Sequence, residues 1–189
     1  MINMHQKRGF SLIEIIVAVS ILVILAGIAI PAISTQVERA KVGKLVALVD
    51  TLGKACAQYN VDTSGYATEY SGSTYTASNY HTLSLIQTTN GWEGPYIDHP
   101  ITTADNPFNG NIYLYNNLSG ALDSGFDING SGANTHEGSG NYVRFYGLPE
   151  DAAIRLDAAF DKDIPGDWME TGRVKYGGGV VYVYITGGI

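Results

Sequence analysis

Lys7-Arg8-Gly9-Phe10-Ser11-Leu12-Ile13-Glu14 leads into Ile15-Ile16-Val17-Ala18-Val19-Ser20-Ile21-Leu22-Val23-Ile24-Leu25-Ala26-Gly27-Ile28-Ala29-Ile30-Pro31-Ala32-Ile33-Ser34, and this stretch decides the architecture. Between Ile15 and Ser34 there are 20 residues without a charge. As a helix rising about 1.5 Å per residue they reach roughly 30 Å, the thickness of a bilayer's hydrocarbon core. A secretory signal peptide has an apolar core of only about 7 to 15 residues ending at a small-residue cleavage site, so this stretch is too long for one. The basic pair Lys7-Arg8 stays cytoplasmic by the positive-inside rule, which places everything after Ser34 beyond an inner membrane crossed in a single pass.

Glu14 is the anomaly in this reading. A carboxylate so near the start of a membrane segment costs a few kcal/mol unless it stays at the interface or finds a cation. Farther along, Val37, Lys41, Leu45, Leu48, Val49, Leu52, Cys56 and Tyr59 recur at steps of three and four, so helical periodicity continues past the membrane. One long helix is expected from Phe10 to Tyr59, its outer half laying one face on a folded domain while Glu38, Arg39, Lys44, Asp50 and Lys54 meet water. Cys56 belongs to the packed stripe. Late in a helix, it has neither the base nor the helix N-terminus that would make its thiol reactive.

Composition bounds the rest. The chain has 189 residues, enough for one domain with an anchor but not for two enzyme domains. Charged residues make up 15%, while 23 glycines and 13 tyrosines favour turn-rich and strand-rich structure. Eleven basic against 18 acidic side chains give a net charge of -7, which repels a phosphate backbone, so no nucleic-acid partner is expected. The single cysteine allows no internal disulfide and no cysteine-cluster zinc site. Residues 63–80 form a Ser/Thr/Gly/Tyr mixture without a period and read as a loop, in which Tyr66, Tyr70, Tyr75 and Tyr80 could stack on sugars or simply decorate a surface. Strands are predicted at Tyr113–Tyr115, Tyr142–Tyr146 and Val180–Ile185, with a short helix over Pro149–Phe160 and a flexible turn at Gly177-Gly178-Gly179.

Lys7 to Glu14 resembles the signal of prepilins, the precursors of type IV pili and of type II secretion pseudopili. The resemblance implies that a membrane peptidase cuts after Gly9 and methylates the new N-terminus, Phe10, leaving Glu14 as the fifth mature residue. It also implies that the Phe10 ammonium pairs with Glu14 of a neighbouring subunit in an apolar filament core, and that Pro31 marks a point where the helix bends or extends. Gly91-Trp92-Glu93-Gly94-Pro95-Tyr96, then Asp105-Asn106-Pro107-Phe108-Asn109-Gly110 and Ile112-Tyr113-Leu114-Tyr115, are similar in order to the major pseudopilin of type II secretion. Here Asn106 separates the acid from the proline, Phe108 replaces a tryptophan, and the intervening basic residues are missing. These residues are read as structural, with Trp92, Tyr96 and Phe108 covering the helix stripe.

The expected fold is therefore α+β, a long N-terminal helix packed against a small antiparallel sheet. The expected divisions are a leader at 1–9, a membrane and filament-core helix at 10–34, an amphipathic helix at 35–60 and a β-rich domain at 61–189. The expected function is a structural, non-enzymatic subunit of a helical filament. The implied partners are copies of itself, minor pilins or pseudopilins, prepilin peptidase and an inner-membrane assembly platform, with the domain periplasmic or extracellular. A type IV surface pilin is the first alternative, and a membrane-tethered carbohydrate-binding module the second.

Two other readings concern chemistry. Asp127, Asn129 and Ser131 place oxygens at alternate positions ahead of Gly132, as in loops that wrap a hard cation, although Glu137 comes one residue too early for an EF-hand. Phe126-Asp127-Ile128 followed by this turn resembles the pseudopilin calcium loop, which implies a structural calcium held by Asp127, Asn129, Ser131, Asn134 and Glu137. A metal-free turn is the alternative, and no cofactor is required in either case. His81, His99 and His136 sit in separate loops, and no nucleophile elbow, phosphate loop or His-Glu-x-x-His helix is present.

Overall fold

The computed structural model describes residues 9–71 and 90–187. The leader before Gly9, Tyr75, Tyr80 and His81 lie outside the described residues. Residues up to Glu38 and from Arg39 onward form two compact units.

Helix α1 runs from Leu12 to Thr63, 52 residues, and passes through Pro31 without a break. Its start is built by Ser11, whose carbonyl accepts from the N–H groups of Glu14 and Ile15. Its end lies beyond the expected Tyr59. Thr63 Oγ1 donates to the Tyr59 carbonyl, Asn60 Nδ2 to the Gly65 carbonyl and Ser64 N–H to the Asn60 carbonyl, and Ser64 then turns to φ 57°. The Thr63 hydroxyl and the Ser64 N–H satisfy two of the last helix carbonyls, and Asn60 ties the chain beyond the helix back to it. Ahead of Glu38 the apolar side chains described are exposed, from Phe10 at 80% through Leu22, Ile28 and Ile33. Val37, placed in the packed stripe by periodicity, is also exposed.

The unit from Arg39 onward is an α+β sandwich of two layers. Strands β1 (Glu69–Tyr70), β2 (Ile112–Asn117), β3 (Ser139–Tyr146), β4 (Val174–Gly177) and β5 (Val180–Gly187) form one antiparallel sheet in the order β1-β2-β3-β5-β4. Helix α2 (Glu150–Phe160) follows β3, with Pro149 as its N-cap residue and Glu150 and Asp151 in its first turn. Period two sorts the strands. Ile112, Leu114, Val143, Phe145, Val181 and Val183 join Val42, Leu45, Val49, Leu52, Cys56 and Tyr59 of α1 and Ala152, Ala153 and Leu156 of α2 in one buried core. Val42 takes the place expected of Lys41. Cys56 is fully buried, and burial pushes its thiol pKa up, which makes it inert packing.

The predicted strands are longer than their aromatic kernels, and two edge strands escaped prediction. β1 has two residues inside the stretch read as a loop. β4 pairs Val174 with Val183 and Lys175 with Tyr182 across a two-residue turn at Gly178 (φ 60°) and Gly179 (φ 76°), the positive-φ geometry that hairpins favour. Where β3 meets a register shift beside Asn141, its buried amide donates to the Ala67 and Tyr115 carbonyls, which supplies bonds the irregular ladder lacks.

Asp157 on α2 has a buried Oδ1 without a hydrogen-bond partner. Burial, and then the nearby Asp161 carboxylate, push its pKa up to about 6. A carboxyl raised in the folded state stabilises the protein below its unfolded pKa of about 4, and that stability is lost as pH rises towards about 6. Asp157→Asn is therefore expected to raise Tm at pH 7 by about 2 to 4 °C, with the gain vanishing below pH 4. Thermal melts of the full chain in detergent at both pH values check this; an equal gain at both would refute the assignment.

Candidate functional site

Two places carry the residues singled out by sequence. The first is the beginning of α1. Gly9, Phe10 and Ser11 precede the helix and are exposed, and Glu14 lies in its first turn. The Ser11 N–H donates to Glu14 Oε2 at 3.5 Å, so the carboxylate reaches back over the helix start, at the positive end of the helix dipole. Farther in, Ser20 Oγ donates to the Ile16 carbonyl at 2.8 Å, which satisfies the hydroxyl within its own helix. The helix is long and apolar enough to cross a membrane. Between Glu14 and Glu38 the sequence has no ionisable side chain, and the large apolar side chains described there are exposed.

The second place is the hairpin that carries Asp127 to Glu137. Phe126 and His136 pair across it, and Asp127 bridges to Thr171. Asp127 is 3% exposed. Its Oδ1 accepts from Ser131 N–H at 3.1 Å and its Oδ2 from Gly132 N–H at 2.7 Å. Burial pushes the Asp127 carboxyl up, but the N–H groups of Gly132 and Ser131 outweigh it and hold it below the usual carboxylate range. Asn129 Oδ1 also accepts from Ser131 N–H. Asn134 Oδ1 faces the Nζ of Lys175 at 3.3 Å. Glu137 is exposed and does not line the cavity of about 220 Å³ that Asp127 and Asn134 share.

Three of the five candidate residues have side-chain oxygens engaged within the chain. Those of Asp127 and Asn129 are turned onto the loop's own N–H groups, and that of Asn134 onto an ammonium. Among the described residues, no three His, Cys, Asp or Glu side chains gather where they could hold a metal. The two histidines among the described residues do not converge either: His99 faces Asp105 at 3.4 Å on the surface, while His136 packs 5.1 Å from Tyr184.

The Trp92 to Gly110 segment is a brace, as its residue types suggested. Tyr96 packs edge-on against Tyr59 and Trp92, and its hydroxyl donates to Asp62 Oδ2 at 2.6 Å. Gly91 sits at φ 80°, where an added Cβ would lie 2.5 Å from the Asp62 carbonyl. Asn106, the residue by which this chain departs from the pseudopilin pattern, is buried. Its Nδ2 donates to the Tyr146 carbonyl and its Oδ1 accepts from Phe108 N–H. On the outer face of the sheet, the Arg144 guanidinium stacks 4.5 Å from Tyr115 and 5.0 Å from Tyr182 and donates to the Gly120 carbonyl. Sequence reasoning passed over Arg144 and Lys175, and saw Asn106 only as a departure from the motif. A lone charge in an alternating strand was the available signal for Arg144 and Lys175, and a polar residue within a turn motif for Asn106.

An exposed apolar helix with an acid in its first turn, continuing into an α+β domain, defines a prepilin-type subunit anchored through its N-terminus. The family model for the prokaryotic N-terminal methylation motif matches residues 4–30. The family model for the type II secretion system (T2SS), protein G, matches residues 32–144, more than half of the chain, and the chain belongs to that family. It is a type II secretion pseudopilin processed by prepilin peptidase, a member of a family of structural subunits. Searches of the curated proteins and of the solved structures give no significant match.

Proposed function

We propose that this pseudopilin is cleaved after Gly9, methylated on Phe10, held by α1 as a single pass in the inner membrane with its domain in the periplasm, and added head to tail to a helical filament. The observation that carries this reading is the first part of α1, whose described apolar side chains form an exposed surface and whose acid, Glu14, lies one helical turn from the new N-terminus. In a lipid phase this surface is solvated. In a filament the same surface packs against copies of itself, and a head-to-tail contact of that kind need never close. The Phe10 ammonium of one subunit then pairs with Glu14 of its neighbour, while Pro31, which lacks an N–H, is where α1 loosens as subunits pack. Minor pseudopilins, prepilin peptidase and an inner-membrane platform are the partners this cycle requires.

Intact mass spectrometry of the protein from its native membrane tests the first step. The mature chain is expected to begin at Phe10 and to weigh one methyl group more than the unmodified sequence from that residue. A wild-type chain retaining Met1 to Gly9 would refute the processing step and the pairing that depends on it.

A further inference from the structure

Lys175 is a charged residue at 2% exposure in the middle of β4. Strand alternation turns Val174 into the core and Lys175 to the opposite face, beneath the loops that run from Leu118 to Glu137. Its Nζ lies 3.3 Å from the Leu122 carbonyl, 3.3 Å from Asn134 Oδ1 and 5.8 Å from the centre of the Phe126 ring. One ammonium thus gathers a main-chain carbonyl, an amide oxygen and an aromatic face from three separate points of the loop. Two of these are hard oxygens of the type a calcium ion collects.

A second observation shows how closely the loop is seated. A Cβ added at Gly177 would lie 2.7 Å from Leu122 Cδ2, so the loop rests directly on β4. A third concerns charge: Asp127, Glu170 and Lys175 line the same cavity, so the buried carboxylate and the buried ammonium face a common space. A divalent cation entering there would meet a fixed positive charge in a low-dielectric setting and would have to strip N–H donors from Asp127.

We infer that the Lys175 ammonium is the resident cation of the 122–134 loop, doing for this domain what bound calcium does for the loop it resembles, so that the domain reaches full stability without a divalent metal. Lys175 lies beyond the residues matched by the secretion-family model. The inference concerns the loop alone and stands apart from the filament reading.

The test uses the full chain in detergent. Wild-type protein is melted in excess EGTA and in 5 mM calcium chloride, alongside Lys175→Met, which keeps the length of the side chain and removes its charge, and Asn134→Ala, which removes one acceptor and leaves Lys175 in place. The wild-type Tm is expected to agree within about 1 °C between EGTA and calcium, because a ligand that does not bind the folded state cannot stabilise it. Both variants are expected to melt lower, and amide hydrogen exchange across residues 122–134 is expected to quicken about tenfold or more relative to the β2 and β3 amides. A wild-type Tm raised by several degrees in calcium would overturn the inference even if neither variant folds. So would unchanged loop exchange in both variants.

Discussion

Replacing Glu14 with alanine is expected to abolish filament assembly while leaving insertion and cleavage of the subunit intact. Among the described residues the side chain accepts one hydrogen bond, from the Ser11 N–H, and that bond is weak at 3.5 Å, so folding loses little. The loss falls on the contact between subunits. With the partner carboxylate gone, each added subunit buries its Phe10 ammonium uncompensated, at a cost of about 3 to 5 kcal/mol, or roughly a hundred- to several-thousandfold in the association constant at every step. Glu14→Gln is expected to fail similarly, since it keeps the shape and a hydrogen bond but not the charge. Sedimentation of sheared filaments, with membrane-bound mature subunit quantified beside it, reads this directly. Normal filament yield from Glu14→Ala would refute the pairing, whereas loss of the mature subunit itself would point to a role in processing.

The second large effect is expected at Gly110, in the turn that leads into β2. A Cβ there would overlap the Tyr146 carbonyl and lie 3.1 Å from Asn106 Nδ2. Neither neighbour can yield: the Tyr146 N–H is bonded to the Asn111 carbonyl, and its own carbonyl is held by Asn106 at 2.9 Å. Gly110→Ala must therefore open the bracing turn or the end of β3. Overpacking combined with one or two lost hydrogen bonds costs about 3 to 5 kcal/mol, and Tm is expected to fall by roughly 10 °C. Gly43→Ala is the control. That position is exposed on α1 with nothing within 4 Å of an added Cβ, so alanine there should raise stability by up to about 1 kcal/mol. Equal melting of the Gly110→Ala variant and the wild type would mean that the turn is looser than its hydrogen bonds imply.

Both predictions follow from residues that were visible in the sequence, but they were legible to different degrees. Glu14 stands out because a lone acid beside 20 uncharged residues contradicts its surroundings, and the run from Lys7 to Glu14 is specific enough to name a family. Gly110 is one of 23 glycines, and nothing local separates it from Gly178, whose Cβ would meet open space. Its importance comes from Tyr146, 36 positions away, which only pairing in the sheet brings alongside.

The strands show the same division. The cores of β2, β3 and β5 could be read because aromatic and β-branched residues alternate over the inner strands of the sheet. β1 and β4 lie at its edges, too short to display a period, and their existence depends on a neighbour offering a ladder. The loop at Asp127 separates the two sources most clearly. Oxygens at alternate positions before a glycine suggest a cation loop, and that much is written in the sequence, along with the apolar helix and the α+β class. Which cation the loop meets depends on a lysine 41 residues beyond Asn134, delivered by the β4–β5 hairpin. Local chemistry is written in consecutive residues, because side-chain periodicity and backbone preference act over a few positions. The pairing of a buried charge is written only in three dimensions, because its partner can come from any element the fold lays over it.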